Sequence, residues 1–273
     1  EDGIRDYKVT GVQTCALPIC LDFFNKFYPM VKDMQSAYDA VVFLNQKIFD
    51  ELGVIYSTKR PKADQSPYES INAGMASCTG LSILLIDVCR SVGIPARFVG
   101  TPSWYNNSGN HSWVEIWDGE WHFTGAAEPT EDRLNESWFE DLASKAEKGS
   151  DKYGIFAATW EHTDIYFPMD WLPGVKEYNA IDVTNRYKSS LVDNHFVPIR
   201  VRALDSSGNR QQVKVVIYGE NNFTKQGFSK DETCDANDHL TFMVPKGETF
   251  TLQSKKVTKI IKADKEKLIN LEI

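Results

Sequence analysis

The stretch Cys78–Val92 reads CTGLSILLIDVCRSV and most constrains what this chain can fold into. It is predicted as a helix, and Leu81, Ile83, Leu84, Leu85, Ile86, Val88 and Val92 put apolar side chains on most of its sides. A helix of that kind is deeply buried, since one polar stripe would suffice to expose it. Gly93 ends it and Pro95 prevents its return. Ala96–Gly100 follows as a strand. The chain has the means to enclose such a helix, with 273 residues of which 42% are hydrophobic. That apolar fraction excludes whole-chain disorder, and the length suits one or two domains.

Charge and cysteine usage exclude several functions. The formal net charge of −8 argues against nucleic acid or an anionic membrane as main partner, because both call for basic patches. No stretch reaches the roughly 18 apolar residues of a membrane-spanning helix. Five cysteines are too few for a disulfide scaffold.

The leading residues Glu1–Ile19, EDGIRDYKVTGVQTCALPI, have no h-region and no helix or strand period. Back-translated, Glu1–Asp6 and Val9–Ile19 resemble an indexed adapter oligonucleotide of short-read sequencing, with Tyr7-Lys8 as the index. Residues 1–20 are therefore expected to lie outside the fold. Cys78, Cys89 and Cys234 are then the cysteines that matter.

Two domains are expected, over residues 21–190 and 195–273. In the first, Tyr38, Val41, Val42, Asn45, Ile48, Phe49 and Leu52 recur at helical spacing, with Ser36 as cap and Gly53 as stop. Val54–Ser57 reads as a short strand. His111–Trp117 and Trp121–Gly125 alternate around Asp118-Gly119, a hairpin signal. Leu134–Lys148 is predicted as a third amphipathic helix. In the second, Phe196–Ala203, Gln212–Tyr218, His239–Val244, Thr249–Leu252, Lys256–Ile261 and Lys267–Glu272 are six strand-like runs separated by turns. They suggest a small antiparallel β-sandwich.

Cys78 opens the buried helix. A helix N-terminus stabilises negative charge and so favours a thiolate. Gly74, Ala76, Ser77 and Gly80 leave room for a substrate backbone. A lone cysteine is most often just a small buried hydrophobe, so position alone does not decide. His111 adds to the case: it opens the strand HSWVEIW after the turn Asn106–Asn110, and an imidazole at a strand edge can meet a helix N-terminus as a Cys–His pair. Cys89 returns to the same helix face three turns on, about 16 Å away by helical rise, and is expected in the core. Cys234 lies in a polar loop.

The segments Ala76–Gly100, ASCTGLSILLIDVCRSVGIPARFVG, and Asn110–Phe123, NHSWVEIWDGEWHF, resemble the transglutaminase-like domain, a relative of papain-fold cysteine enzymes. The resemblance extends over about Tyr38–Tyr187. It implies an α+β papain-like core ahead of the sandwich, with Cys78 as nucleophile and His111 as general base. It also implies an aspartate that orients the histidine, four residues after the hairpin tryptophan. That position is Gly125 here. A two-residue turn at Asp118-Gly119 would instead put Thr124 on the face of His111. Neither is a carboxylate. Glu128, in GAAEPT, could reach back if the chain turns at Ala126-Ala127. His122 is a weaker substitute.

Trp104 and Tyr105, in a Pro/Asn/Gly-rich loop ahead of His111, are candidates to line a substrate cleft. Gln65, thirteen residues before Cys78, is a candidate oxyanion donor beside the Cys78 backbone N–H. No C-x-x-C or H-x-x-x-H spacing exists, so no metal is expected, and no cofactor. The function expected is acyl transfer at an amide or peptide bond of a peptide or protein, through a Cys78 thioester. Water as acceptor makes a protease or amidase; an amine makes a transglutaminase. The resemblance implies an exported protein, in the periplasm, at the cell surface or secreted. A different class is a degenerate peptide- or glycan-binding module, motivated by the absent aspartate.

Overall fold

The computed structural model describes residues 17–188, 195–220, 222–255 and 257–273. Two compact units divide the chain, Glu1–Lys188 and Ser189–Ile273. Residues 1–16 and the expected boundary near Ser190 lie outside the described residues.

The first unit opens with α1 (Leu17–Val31). Ile19, Phe23, Phe27 and Val31 recur every fourth residue and are all buried, which is one helical stripe. The expected boundary at residue 20 is therefore corrected, because Ile19 is 3% exposed and belongs to the core cluster. Next comes α2 (Ala37–Leu52), capped by Ser36, whose side chain accepts from Asp39 N, and closed by Gly53 at φ 66°. Then follow β1 (Ile55–Tyr56), α3 (Pro67–Ala73), β2 (Met75–Ala76) and α4 (Cys78–Ser91). Every residue of α4 from Thr79 to Cys89 is buried, as its apolar circumference demands.

The unit's main sheet is built from β3 (Ala96–Thr101), β4 (His111–Trp117), β5 (Trp121–Thr124), β6 (Phe156–Ala158) and β7 (Ala180–Asp182). Its order is β5-β4-β3-β6-β7, antiparallel throughout. Side chains alternate across it. Phe98, Val114 and Ile116 join the core that holds α1, α2 and α4. Val99 and Trp113 point the other way, into a second cluster with Trp104, Phe139, Leu142 and Tyr187. That second face is anchored by a buried polar chain. Arg97 Nη2 lies 2.6 Å from Glu115 Oε2, Tyr187 Oη donates to Glu115 Oε1 at 2.7 Å, and Trp113 Nε1 donates to Tyr187 Oη at 2.8 Å. Burial and the Glu115 charge push the Tyr187 phenol up.

The expected helix over Leu134–Lys148 shrinks to α5 (Glu140–Ser144). Asn135 has φ 64°, and its N–H donates to Phe123 O at 2.8 Å. A left-handed residue with its amide spent on a neighbouring strand cannot lie inside a helix. A single turn, α6 (Thr184–Tyr187), closes the unit.

The second unit contains β8 (Phe196–Leu204), β9 (Lys214–Gly219), β10 (Thr224–Phe228), β11 (Leu240–Pro245), β12 (Thr249–Ser254), β13 (Val257–Lys262) and β14 (Lys267–Glu272). They form two sheets, β10-β9-β12-β13 and β11-β8-β14. The core between them takes alternate residues of both, including Ile199, Val201, Val215, Ile217, Val244, Phe250, Leu252 and Leu271. Two features differ from expectation. β10 is an additional strand, and β14 runs parallel to β8, with Lys267 opposite Ile199. Among the described residues, no helix is long and apolar enough to cross a membrane.

Candidate active site

Cys78 is the first residue of α4. Ser77 caps the helix, its hydroxyl accepting from Gly80 N at 3.2 Å. Two bonds then tie this helix end to the start of β4. The hydroxyls of Thr79 and Ser112 are 3.1 Å apart, and Ser82 Oγ donates to Ser112 O at 3.2 Å. The residue after Cys78 is thus held against the residue after His111. Cys78 Sγ and a ring nitrogen of His111 lie within 4.8 Å of each other.

The imidazole is 2% exposed and sits among aromatic rings. Its centroid is 4.8 Å from that of Trp138, 5.0 Å from Phe139, 6.0 Å from Trp113 and 6.3 Å from Trp104. Nε2 faces a carboxylate, with Glu128 Oε2 at 3.2 Å. The same oxygen accepts from Trp138 Nε1 at 2.9 Å. Glu128 arrives there because the chain reverses after β5. Glu128 N donates to Gly125 O at 3.2 Å, with Ala127 at φ 62°.

The hairpin register decides which residues share the face of His111. Trp117 pairs with Trp121, Glu115 with Phe123 and Val114 with Thr124. The connection therefore holds three residues, Asp118 to Glu120, with Asp118 N donating to Glu120 O at 2.9 Å. A two-residue turn at Asp118-Gly119 is corrected, and Thr124 with it. A slip of one residue exchanges the faces, so Thr124 points with Val114, and Gly125 falls on the face of Trp113 and His111. His122 lies opposite Ile116 on the far face. Its Nδ1 is 2.9 Å from Asn135 Nδ2.

The other expected residues are placed differently. Gln65 is 1% exposed, and its Nε2 donates to Met75 O at 3.0 Å and Glu69 O at 3.3 Å. Two carbonyl acceptors use both amide hydrogens, so Gln65 braces the loop before α4 and is corrected as an oxyanion donor. Trp104 is 1% exposed. It packs around the imidazole in the buried cluster, which corrects its assignment to a cleft wall. Tyr105 is half-buried, and its hydroxyl accepts from Lys145 Nζ at 3.2 Å. Cys89 is fully buried, and burial pushes its thiol up to about 12. Cys234 belongs to the second unit; burial raises its thiol as well.

Sequence reasoning did not single out Asn45, Trp138 or the Thr79–Ser112 link. Asn45 carried a signal, being the one polar member of the periodic apolar face of α2. Trp138 carried none, since it was read into the helix that does not form.

Residues 28–126 match the family model of the transglutaminase-like superfamily. That segment is transglutaminase-like. No curated protein matches the chain. Among solved structures, it is similar to a Cytophaga hutchinsonii protein assigned as a cysteine protease, at 20% identity and TM-score 0.36, over 42% of this chain and 39% of that one. A structure titled as a TGase matches at 14% identity and TM-score 0.35, over 56% and 46%. Red sea bream transglutaminase matches at 8% identity and TM-score 0.35, over 93% and 59%. This chain thus spans less than two thirds of each of these three.

Proposed function

We propose that this protein transfers acyl groups from amide or peptide bonds through a thioester on Cys78. One observation supports this above the rest: Cys78 Sγ lies within 4.8 Å of a His111 ring nitrogen, while Glu128 Oε2 lies 3.2 Å from Nε2. An imidazole with Nε2 on a carboxylate presents Nδ1 as the base. Nδ1 takes the thiol proton, and the sulfur attacks the carbonyl carbon. The developing oxyanion is received by the backbone N–H of Cys78 at the head of α4. The imidazolium then protonates the leaving amine, and the thioester remains. Glu128 keeps the ring oriented and stabilises its positive form, as the third member of such a site does.

The thioester is resolved by water or by a primary amine. Hydrolysis of extracellular or cell-wall peptides is the preferred reading, and an exported location belongs to it. The test is a peptide library incubated with the folded protein, with and without a fluorescent primary amine. New peptide termini that vanish in Cys78→Ala support hydrolysis; Cys78-dependent amine incorporation supports transamidation. If neither product forms and labelled peptides or glycans still bind reversibly, the enzyme reading fails.

A further inference from the structure

We infer that Asn45 and Gly125 are positioning residues for the Glu128 carboxylate: Gly125 yields its side-chain volume to it, and Asn45 holds the turn that delivers it. The inference rests on the reading of Cys78 and His111 as the reacting pair.

Gly125 stands on the strand face shared with Trp113 and His111. A Cβ built there would fall on Glu128 Oε2, closer than any real contact, and would lie 3.0 Å from Glu128 Cβ and 3.1 Å from Cδ. Its gap to that oxygen is about the span from Cβ to a carboxylate oxygen within one aspartate, roughly 2.4 Å by standard bond lengths. The Glu128 oxygen thus lies within the reach that an aspartate oxygen at position 125 would have. The φ of Gly125 lies outside the left-handed region, so backbone conformation does not require glycine there. The volume does, because it is already filled by a carboxylate from three residues further on.

Something must hold the turn that brings that carboxylate back. Ala127 adopts φ 62°, which a residue with a Cβ accepts only under constraint. Asn45, 3% exposed on α2, supplies the constraint. Its Nδ2 donates to Thr124 Oγ1 at 3.0 Å and to Gly125 O at 2.9 Å. Its Oδ1 accepts from Ala127 N at 2.9 Å. One side-chain amide therefore clamps the last strand residue, the glycine and the left-handed alanine. A buried polar group on an otherwise apolar helix face is costly unless satisfied, and here the satisfying partners are all in the turn that carries Glu128.

The test moves the carboxylate. The readout is alkylation of Cys78 by iodoacetamide from acid to alkaline pH, mapped by mass spectrometry, beside the thermal midpoint of each variant. Glu128→Ala and Gly125→Ala should each slow alkylation at neutral pH by about tenfold or more. The double variant Gly125→Asp with Glu128→Ala should recover to within about threefold, since the carboxylate then hangs on the strand itself. Asn45→Ala should slow alkylation about tenfold in the parent and have little effect in the double variant, which no longer needs the turn. Equal losses from Asn45→Ala in both backgrounds would overturn the inference, because a merely structural role acts on both. So would a parent-like profile in Gly125→Ala, the deciding comparison if Asn45→Ala does not fold. A parent Cys78 that alkylates no faster than in His111→Ala would instead overturn the Cys–His pair, and this inference with it.

Discussion

Thr79 Oγ1 lies 3.1 Å from Ser112 Oγ, and this one bond joins the residue after Cys78 to the residue after His111. Both hydroxyls are buried. Thr79→Val keeps the shape and removes one partner, leaving the Ser112 hydroxyl without that bond. A cost of about 1–3 kcal/mol is expected from such a loss. Alkylation of Cys78 should slow as the helix end loosens from the strand. Chemical denaturation measures the first effect and mass mapping the second; a fully parent-like alkylation profile would show that the bond does not set the pair.

Glu128→Gln keeps the side-chain shape and an amide oxygen for the Trp138 N–H. It loses the charge facing His111. Peptide turnover should fall on the order of a hundredfold, at the low end of what a group assisting proton transfer contributes. Stability should change little, and Cys78→Ala should abolish turnover. An unaltered rate in Glu128→Gln would mean that another group orients the ring.

Legibility in the sequence followed how local the determining physics was. Ser36, Gly53 and the periodicity between them mark α2 closely, because caps and stripes act within a few residues. Cys78 and His111 were legible for a similar reason: each opens an element whose pattern is strong. The placement of Glu128 was only half legible. The turn at Ala126-Ala127 could be read from the small residues, but the clamp on it comes from Asn45, 82 residues from Ala127. The hairpin register was missed because Asp118-Gly119 imitates a two-residue turn and Glu120 joins it unannounced. β10 was missed because Thr224–Phe228 is a largely exposed strand of three polar residues, a glycine and an exposed Phe228, which shows no alternation.

Ile19 tests where the first unit begins. It is 3% exposed and stands one helical turn before Phe23 on the buried stripe of α1. Ile19→Ala should destabilise the protein by about 2–5 kcal/mol, the usual cost of truncating a buried isoleucine. A change below about 0.5 kcal/mol, the level of an exposed substitution, would place Ile19 outside the core.

A buried carboxyl and a partly buried imidazole should give the two units opposite responses to pH. Asp87 is fully buried on α4, and burial pushes its carboxyl up to about 8 against the pull of Arg90. In the unfolded chain it titrates near 3.8, the ordinary value of an aspartate. Below that pH both states hold the proton and the group has no net effect. Between the two values only the unfolded chain ionises, so the folded state loses about 1.4 kcal/mol for each pH unit of rise. Above about 8 the loss is constant. His239, in the second unit, has its pKa lowered to about 4 by burial and by Arg202, Arg210 and Arg200. Between its unfolded value of 6.5 and about 4 only the unfolded chain takes up the proton, so stability falls as pH falls. Relative to the parent, Asp87→Asn should therefore gain thermal stability progressively as pH rises from about 4 to about 8. His239→Gln should gain progressively as pH falls from about 6.5 to about 4. Scanning calorimetry of both variants across that range reads the two differences. If both ran in the same direction with pH, one of the two groups would be charged in the folded protein, and its surroundings would need another account.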